Sequence, residues 1–242
     1  MTRAEKKSWH SDLDVLEMLD HPFIVTFRAT LSDSMASYLV TDFVSTSKLT
    51  DALKTMGQKM QVGSVQFYTA QLACVIEDLH DLGITWRDLK PENVLIDSKG
   101  YIRCLQFGLA VRLAEGHKTF TICGTPEYMA PETCNGEGHG PESDYWSLGV
   151  TVFELFAGKT PFFKPGIKRQ QLFQAIITGV VSYPPGIDPK AKDFISKLLK
   201  PLKQRMKEPD QIRNHAFFQG FDWGRLKKKT LAAPWHPKKQ KQ

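Results

Sequence analysis

The eight residues 86–93 constrain the fold of this chain more than any other segment. They follow residues 64–82, whose apolar side chains recur at helical spacing, and they precede two short apolar runs joined by residues 97–100. The first pattern predicts a long helix, and the second predicts a small hairpin. One loop between a helix and a hairpin therefore brings together a carboxylate, a cation and a carboxamide, namely Asp88, Lys90 and Asn93.

Other patterns predict mainly helices after residue 44. Ahead of it, leucines at helical spacing over residues 13–19 stop before Pro22, because the residue preceding a proline disfavours the helical conformation. Residues 24–30 and 35–44 are rich in Val, Phe, Tyr and Ile around a turn at 32–34, which predicts two antiparallel strands. Further helices are predicted at residues 49–56, 143–157, 169–178 and 189–199, the last of them capped by Asp188.

Composition excludes several classes of protein. The 242 residues are 41% hydrophobic and 24% charged, so the chain can bury a substantial core. No run of eighteen apolar residues occurs, and no apolar signal-peptide core follows the N-terminus, so we expect no transmembrane segment and a cytoplasmic or nuclear location. The four cysteines lack metal-ligand spacing and are expected to be reduced and structural.

The formal charge of +6 comes from the C-terminal end. Residues 221–242 hold seven lysines and arginines against Asp222 alone. Such a run predicts a solvated extension, with an acidic lipid surface, an acidic protein or nucleic acid as the alternatives. Because the rest of the chain is close to neutral, we expect no specific nucleic-acid partner.

An ordered set of motifs follows the loop of residues 86–93. It comprises Gln106-Phe107-Gly108, then Cys-Gly-Thr-Pro-Glu-Tyr at 123–128, then Ala-Pro-Glu at 130–132 and Asp-Tyr-Trp-Ser-Leu-Gly at 144–149. A motif is informative when its strand, turn and helix context is also present, and here it is. The chain therefore resembles the protein kinase superfamily. Residues 123–128 and 215–223 place the resemblance in the AGC branch of cyclic-AMP- and cyclic-GMP-dependent kinases, and residues 224–231 are most similar to the cyclic-GMP-dependent type.

The resemblance covers nearly the whole chain and implies an α+β, kinase-like fold. Residues 1–44 would form part of the N-lobe, with one helix and two strands. Residues 45–219 would form the mostly helical C-lobe, and residues 220–242 the basic start of an AGC-type C-terminal tail. The implied activity is transfer of a phosphoryl group from ATP to serine or threonine in a protein substrate, with Mg²⁺ as the metal.

The same resemblance implies roles for individual residues. Asp88 would accept the substrate proton, Lys90 would face the transferred phosphoryl group and Asn93 would bind the metal. The ATP-binding residues would be Thr41, Asp42 and Val44 at the hinge and Leu95 below the adenine.

Regulatory and structural roles follow from the same alignment. Thr119 would be the phosphorylation site of the activation loop, with Arg87 as the partner of its phosphate. Glu132 and Arg205 would form a buried ion pair, and Asp144 would anchor the catalytic loop.

Three departures from the family pattern lower the expected affinity for ATP and Mg²⁺. Gln106 stands where the family has a metal-binding aspartate, and a neutral amide is a poor magnesium ligand. Lys48 stands where the branch has a glutamate for the ATP ribose, and a cation cannot accept those hydrogen bonds. Asp12 aligns with the helix glutamate, and no segment of the chain matches the glycine-rich loop or the strand lysine.

These observations leave three hypotheses. The first is a catalytically impaired pseudokinase, or kinase-derived interaction module, with a protein docking partner. The second is an active AGC serine/threonine kinase whose N-lobe is missing from this chain. The third is lipid or nucleic-acid binding through the basic tail.

Overall fold

The computed structural model describes residues 3–44 and 47–238, and within the first helix it describes the side chains of Trp9 and of residues 11–18. The elements follow the predicted α+β order, with one helix and two strands ahead of a mainly helical body. The helices and strands are α1 Arg3–Met18, β1 Phe27–Ser32, β2 Ser37–Thr41, α2 Leu49–Thr55, α3 Val62–Asp81, β3 Ile84–Thr85, β4 Val94–Ile96, β5 Ile102–Cys104, β6 Val111–Arg112, α4 Pro131–Cys134, α5 Glu142–Ala157, α6 Arg169–Thr178, α7 Pro189–Leu198, α8 Pro209–Arg213 and α9 Trp223–Lys227.

The body packs around α3 and α5, which contact each other and are buried along most of their length. The predicted helix ends are confirmed within one or two residues. Asp188 caps α7, since its side chain accepts a hydrogen bond from the Ala191 N–H at 2.9 Å. Gly83 follows α3 with φ +72°, and an added Cβ would lie 2.8 Å from the carbonyl oxygen of Leu113. A side chain at residue 83 would therefore displace the backbone at Leu113, which directly follows β6.

The first predicted strand begins later than expected. Strand β1 pairs with β2 only from Phe27 onward, whereas Ile24 bridges to Cys104 of β5. Cys104 donates its N–H to the Phe23 carbonyl at 2.7 Å and accepts the Val25 N–H at 3.1 Å. The apolar run was correctly read as extended, but its first residues extend the β4–β5 hairpin of the body.

The predicted solvated basic extension is confirmed only in part for residues 223–235, which we call the strap. Its cations Arg225, Lys227 and Lys228 are exposed, but its apolar side chains pack against the body. Leu226 is fully buried. The Lys229 ammonium lies over the rings of Phe23 and Tyr101, 5.6 and 5.8 Å from their centroids. The Tyr101 hydroxyl donates to the Leu231 carbonyl at 2.6 Å.

Charge also explains why the strap packs onto the body. The Lys229 ammonium lies 3.8 Å from Asp97, and Lys227 acts electrostatically on Glu77 and Asp78 of α3. The basic strap thus finds acidic partners within its own chain. Among the described segments, none of the helices has both the length and the hydrophobicity that a membrane crossing requires.

Candidate active site

The loop of residues 86–93 is anchored from below by Asp144 of α5. This carboxylate is fully buried and accepts the Trp86 N–H at 2.8 Å and the Arg87 N–H at 2.9 Å. His80 of α3 contacts the same carboxylate through Nε2 at 2.9 Å. A buried carboxylate with three hydrogen-bond partners fixes the backbone of the loop before any ligand arrives.

Asp88, Lys90 and Asn93 come together with a fourth residue, Thr125. Asp88 Oδ1 accepts the Thr125 N–H at 3.0 Å and the Thr125 hydroxyl at 2.8 Å, and Asp88 Oδ2 accepts Asn93 Nδ2 at 2.8 Å. Lys90 Nζ lies 3.3 Å from Asp88 Oδ2 and donates to Thr125 Oγ1 at 2.5 Å. The cluster offers one carboxylate acceptor beside one cation, which is the arrangement that an incoming hydroxyl and a phosphoryl group need.

The loop of residues 106–108 lies against the loop of residues 86–93. Gln106 has φ +72°, in the left-handed region that costs a non-glycine residue about 1 kcal/mol. Its carbonyl accepts Trp86 Nε1 at 3.2 Å, and the buried Phe107 ring lies 5.1 Å from the Trp86 ring. The Asp12 carboxylate of α1 accepts the Phe107 N–H, and burial raises the pKa of this carboxyl.

The hinge residues line one side of an open cavity of about 620 Å³. Thr41, Asp42, Val44 and Leu95 all contribute to its wall, together with apolar side chains from both parts of the chain. The Asp42 carboxylate is held by Arg28 Nε at 2.6 Å, so its pKa lies below its usual range. Lys48 lies just beyond this cavity, exposed, with its backbone bridged to Leu95.

The residues at the implied metal position are poorly suited to bind magnesium. The implied metal position offers the amides of Asn93 and Gln106. The Asn93 amide nitrogen is already committed to Asp88. Magnesium prefers carboxylate and phosphate oxygens at close octahedral geometry, and a neutral amide supplies neither the charge nor a second oxygen.

Three acidic side chains form a negative face beside Lys90. Glu154 of α5 accepts the Tyr128 hydroxyl at 2.5 Å, and burial raises the pKa of Glu154 to about 7. Burial also raises the pKa of Glu127, with the charge of Glu92 as the next cause. This face was not predicted, although Glu92 and Glu127 each follow a proline within the motifs that defined the resemblance.

Thr119 and Arg87 make no direct contact among the described residues, but both interact with His139. Thr119 and His139 exchange backbone hydrogen bonds of 2.9 Å in both directions. The pKa of His139 is lowered by burial and then by the charge of Arg87. Arg87 Nε itself donates to the Leu109 carbonyl at 2.6 Å. Two residues further on, Thr121 is exposed and its N–H lies 3.4 Å from Thr119 Oγ1.

Glu132 and Arg205 form a bidentate ion pair below the site. Arg205 Nη1 and Nη2 donate to the two carboxylate oxygens at 2.6 and 2.8 Å, and both side chains are buried. The guanidinium also stacks on Trp146 of α5, 5.3 Å from the ring. This pair ties the end of the segment that follows Thr119 to the helical body.

The chain belongs to the protein kinase family, since residues 1–218 match the protein kinase domain. Its relatives place it among the AGC kinases. It is 35% identical over 234 residues to the human cAMP-dependent protein kinase catalytic subunit PRKX, covering 95% of this chain and 64% of that protein. It is 35% identical over 241 residues to protein kinase 2 of Dictyostelium discoideum, covering 98% of this chain and 50% of that protein.

The yeast serine/threonine-protein kinase YPK2/YKR2 of Saccharomyces cerevisiae is also 35% identical over 241 residues, and this chain covers 35% of it. The chain therefore spans between about a third and two thirds of the length of these three relatives. What the longer proteins do as a whole does not transfer to this chain without further argument.

The predicted site residues fall into separate groups: Asp88, Lys90 and Asn93 contact one another, whereas Thr41, Asp42, Val44 and Leu95 line one cavity. The structure adds residues that the sequence did not assign. Thr125 bonds both Asp88 and Lys90, although it was quoted only as part of a motif. Asp12 was aligned with a helix glutamate, and it contacts the backbone of Phe107. Both contacts join segments far apart in the chain, so no local pattern could have predicted them.

Proposed function

We propose that this chain is a catalytically impaired member of its family that acts as a protein-binding module. The observation that carries the proposal is Gln106, an exposed neutral side chain at the position where the family has a metal-binding carboxylate. Phosphoryl transfer depends on metal ions that neutralise the developing charge. Loss of one such electrostatic partner typically lowers the rate by a factor of 10²–10³.

Lys48 supports the same proposal independently. It lies at the end of the hinge, where a ribose needs acceptors, and its N–H is bonded to Asp51 at 2.8 Å at the start of α2. A cation there disfavours the recognition of a ribose. Both departures lie well inside the sequence, so they do not depend on where the chain begins.

The second candidate is an active AGC serine/threonine kinase, and the assembled cluster of Asp88, Lys90, Asn93 and Thr125 favours it. Its positions would support proton acceptance and phosphoryl contact if a nucleotide were held nearby. The carboxylates of Glu92 and Glu127 favour a cationic peptide as substrate. A metal ion bound with ATP would supply charge neutralisation, which these residues do not provide.

One experiment separates the two candidates. Binding of ATP with Mg²⁺ is measured by thermal shift, and transfer of phosphate to a basic peptide is measured with radiolabelled ATP. Both are done on this chain and on a chain extended by its upstream coding sequence. We expect little nucleotide-dependent shift and no transfer in either. Transfer by the extended chain that disappears in Asp88→Asn would establish the active kinase instead.

Phosphorylation of Thr119 is a separate proposal. A phosphate there would add close to two negative charges near Arg87, whose charge already acts on His139 beside Thr119. The chain is incubated with kinases that phosphorylate the activation loops of AGC kinases, and the phosphorylated residues are identified by mass spectrometry. We expect phosphate on Thr119 in wild type and in Thr121→Ala, and no phosphate on Thr119→Ala. Phosphate on Thr121 alone would move the regulatory site by two residues.

An acidic lipid or protein partner remains a proposal for the exposed cations at the C-terminal end, such as Lys228 in the strap and Lys238 beyond it. Vesicles with 30% phosphatidylserine should then sediment the chain more than neutral vesicles, and Lys228→Ala with Lys238→Ala should abolish the difference. Equal sedimentation with both vesicle types would exclude this partner. The division at residues 44 and 219 and the cytoplasmic or nuclear location also stay predictions.

A further inference from the structure

A second large cavity lies outside the candidate active site, where the end of α3, the start of α5 and residues 113–118 meet. Residues 207 and 208, just ahead of α8, also contribute to its wall. None of the predicted catalytic or hinge residues lines it. Its volume of about 630 Å³ lies within the range of pockets that hold small molecules. Four segments that are distant in the chain therefore build one compartment with room for a ligand.

The wall of this cavity carries an excess of negative charge. Its carboxylates and ammonium groups are Asp81, Glu115, Glu142 and Glu208 against Lys118 and Lys207. Lys207 Nζ lies 3.8 Å from Glu142 Oε1, so these two charges offset each other. Three carboxylates then remain against Lys118. A cavity lined mainly by one sign of charge raises the local concentration of the opposite ion, so this wall favours a cation over an anion.

Tyr145 of α5 supplies a neutral polar group without a partner. The residue is 3% exposed and lines the cavity, and among the described residues its hydroxyl makes no hydrogen bond. Nearly all buried polar groups in native proteins are hydrogen-bonded, so this hydroxyl is available to a ligand. Burial raises the pKa of Tyr145, and the charges of Glu208 and Asp81 are among the further causes. The phenol therefore stays neutral and can accept an N–H beside two of the wall carboxylates.

His80 of α3 offers a second neutral acceptor in the same wall. Its Nε2 lies 2.9 Å from the Asp144 carboxylate, which can only accept, so Nε2 carries a proton. In the neutral ring Nδ1 then keeps a lone pair, and it has no hydrogen-bond partner within residues 3–44 and 47–238. The ring packs edge-on against Tyr145, with the ring centroids 5.2 Å apart. Two neutral acceptors thus stand on adjoining rings, in a wall whose excess charge is negative.

We propose that this cavity is a binding site for a small organic cation that carries a primary ammonium group. An ammonium group has three N–H donors, no acceptor and one positive charge. It therefore matches the acceptors of Tyr145 and His80 and the excess of carboxylates. Residues 113–118 of the wall lead to Thr119, so a bound cation would also hold the start of that segment against α3 and α5. The inference concerns a site outside the candidate active site and does not rest on the proposed loss of activity.

Isothermal titration calorimetry on the full chain tests the site with the diamine putrescine. Butanediol of the same length is the control ligand, because it carries no charge, and the ionic strength is kept equal with sodium chloride. We expect saturable binding of putrescine alone. Tyr145→Phe removes only the hydroxyl and Glu208→Gln removes one charge, and each should raise the dissociation constant roughly tenfold. Asp14→Asn should leave the constant unchanged, because Asp14 is an exposed carboxylate of α1 that does not line the cavity.

Putrescine that binds no more tightly than butanediol would overturn the proposal, and so would equal dissociation constants in wild type, Tyr145→Phe and Glu208→Gln. If Tyr145→Phe does not melt cooperatively, Glu208→Gln decides, because Glu208 is exposed and its loss leaves the core intact. Amide hydrogen exchange reads the effect on the wall: putrescine should slow exchange over residues 113–118 in wild type and leave it unchanged in Glu208→Gln. Variant-sensitive binding without slower exchange would keep the site and overturn its hold on residues 113–118.

Discussion

The loop of residues 86–93 and the loop of residues 106–108 contact each other. Side chains from elsewhere in the chain hold both backbones by hydrogen bonds, but the two loops differ in side-chain charge. The loop of residues 86–93 rests on Asp144 and retains its carboxylate and its cation. The loop of residues 106–108 rests on Asp12 and Trp86 and presents a neutral amide. Backbone support and side-chain charge are thus separable in these two loops: both backbones are held by hydrogen bonds, and only the loop of residues 86–93 has charged side chains in its cluster.

The largest expected effect tests the scaffold of the loop of residues 86–93. Asp144→Ala would leave the buried N–H groups of Trp86 and Arg87 without an acceptor, at about 1–3 kcal/mol each. We expect the free energy of unfolding to fall by about 4 kcal/mol in guanidinium titrations. Asp14→Ala should change it by less than about 0.5 kcal/mol. A loss below about 1 kcal/mol for Asp144→Ala would mean that this loop is held by other contacts.

The next effect concerns the negative face on the same side of the cleft. The folded-state pKa of Glu154 is about 7, above the usual 4.5, so the folded chain binds this proton more tightly. The contribution to stability is therefore complete below pH 4.5 and is lost as the pH rises through 7. The rise in the pKa of Glu154 from 4.5 to about 7 corresponds to about 3 kcal/mol.

Glu154→Gln gives the reference for this effect, since glutamine does not titrate. The free energy of unfolding of wild type minus that of the variant should fall by about 3 kcal/mol between pH 4 and pH 8. Urea titrations at five pH values measure it. A difference that is flat with pH would show that Glu154 titrates normally in the folded chain.

A third variant tests whether the difference between the two loops in binding Mg²⁺ depends on charge alone. Gln106→Asp restores a carboxylate at a position whose backbone is already set. We expect Mg²⁺ to strengthen the binding of a fluorescent ATP analogue at least tenfold more in this variant than in wild type, or about 1.4 kcal/mol. Gln106→Asn is the matched control, because it has the shape of aspartate without the charge. Equal responses in the two variants would contradict the comparison.

The smallest effect measures the strain in the loop of residues 106–108. Glycine tolerates positive φ, so Gln106→Gly should raise the free energy of unfolding by about 0.5 kcal/mol, after the entropy that glycine adds to the unfolded chain. Gln58→Gly is the control, since Gln58 is exposed with φ 63° and lies outside the cleft. A loss of stability at Gln106 alone would show that its side chain stabilises the loop.

Much of the fold could be predicted because its signals are local. The helix at residues 169–178 and the cap at Asp188 follow from period, proline and capping chemistry, which act within a turn or two. The three hinge residues and Leu95 were predicted through the family resemblance, and they do share one cavity. A motif that carries its own spacing specifies its neighbours without knowledge of the rest of the chain.

The parts that could not be predicted depend on contacts between distant segments. The charge pattern predicted that Lys229 lies in a solvated tail. Its ammonium instead lies over the rings of Phe23 and Tyr101, and these contacts join three segments that are distant in the chain. The residues 24–30 had the composition of one strand, yet Ile24 pairs with Cys104 and Phe27 pairs with Thr41. Propensity reports that a segment is extended, and only tertiary packing chooses its partner.

The backbone hydrogen bond from Cys104 to Phe23 has a practical consequence for preparing shorter fragments of this protein. A chain that began at residue 45 would remove the fully buried Phe23 ring, which stacks on Tyr101 at 6.2 Å, and with it the surface on which Lys229 rests. The sequence boundary at residue 44 is therefore a poor place to cut. A shorter fragment intended for crystallisation or display should begin ahead of His21, so that Phe23 and Ile24 stay attached to the helical body.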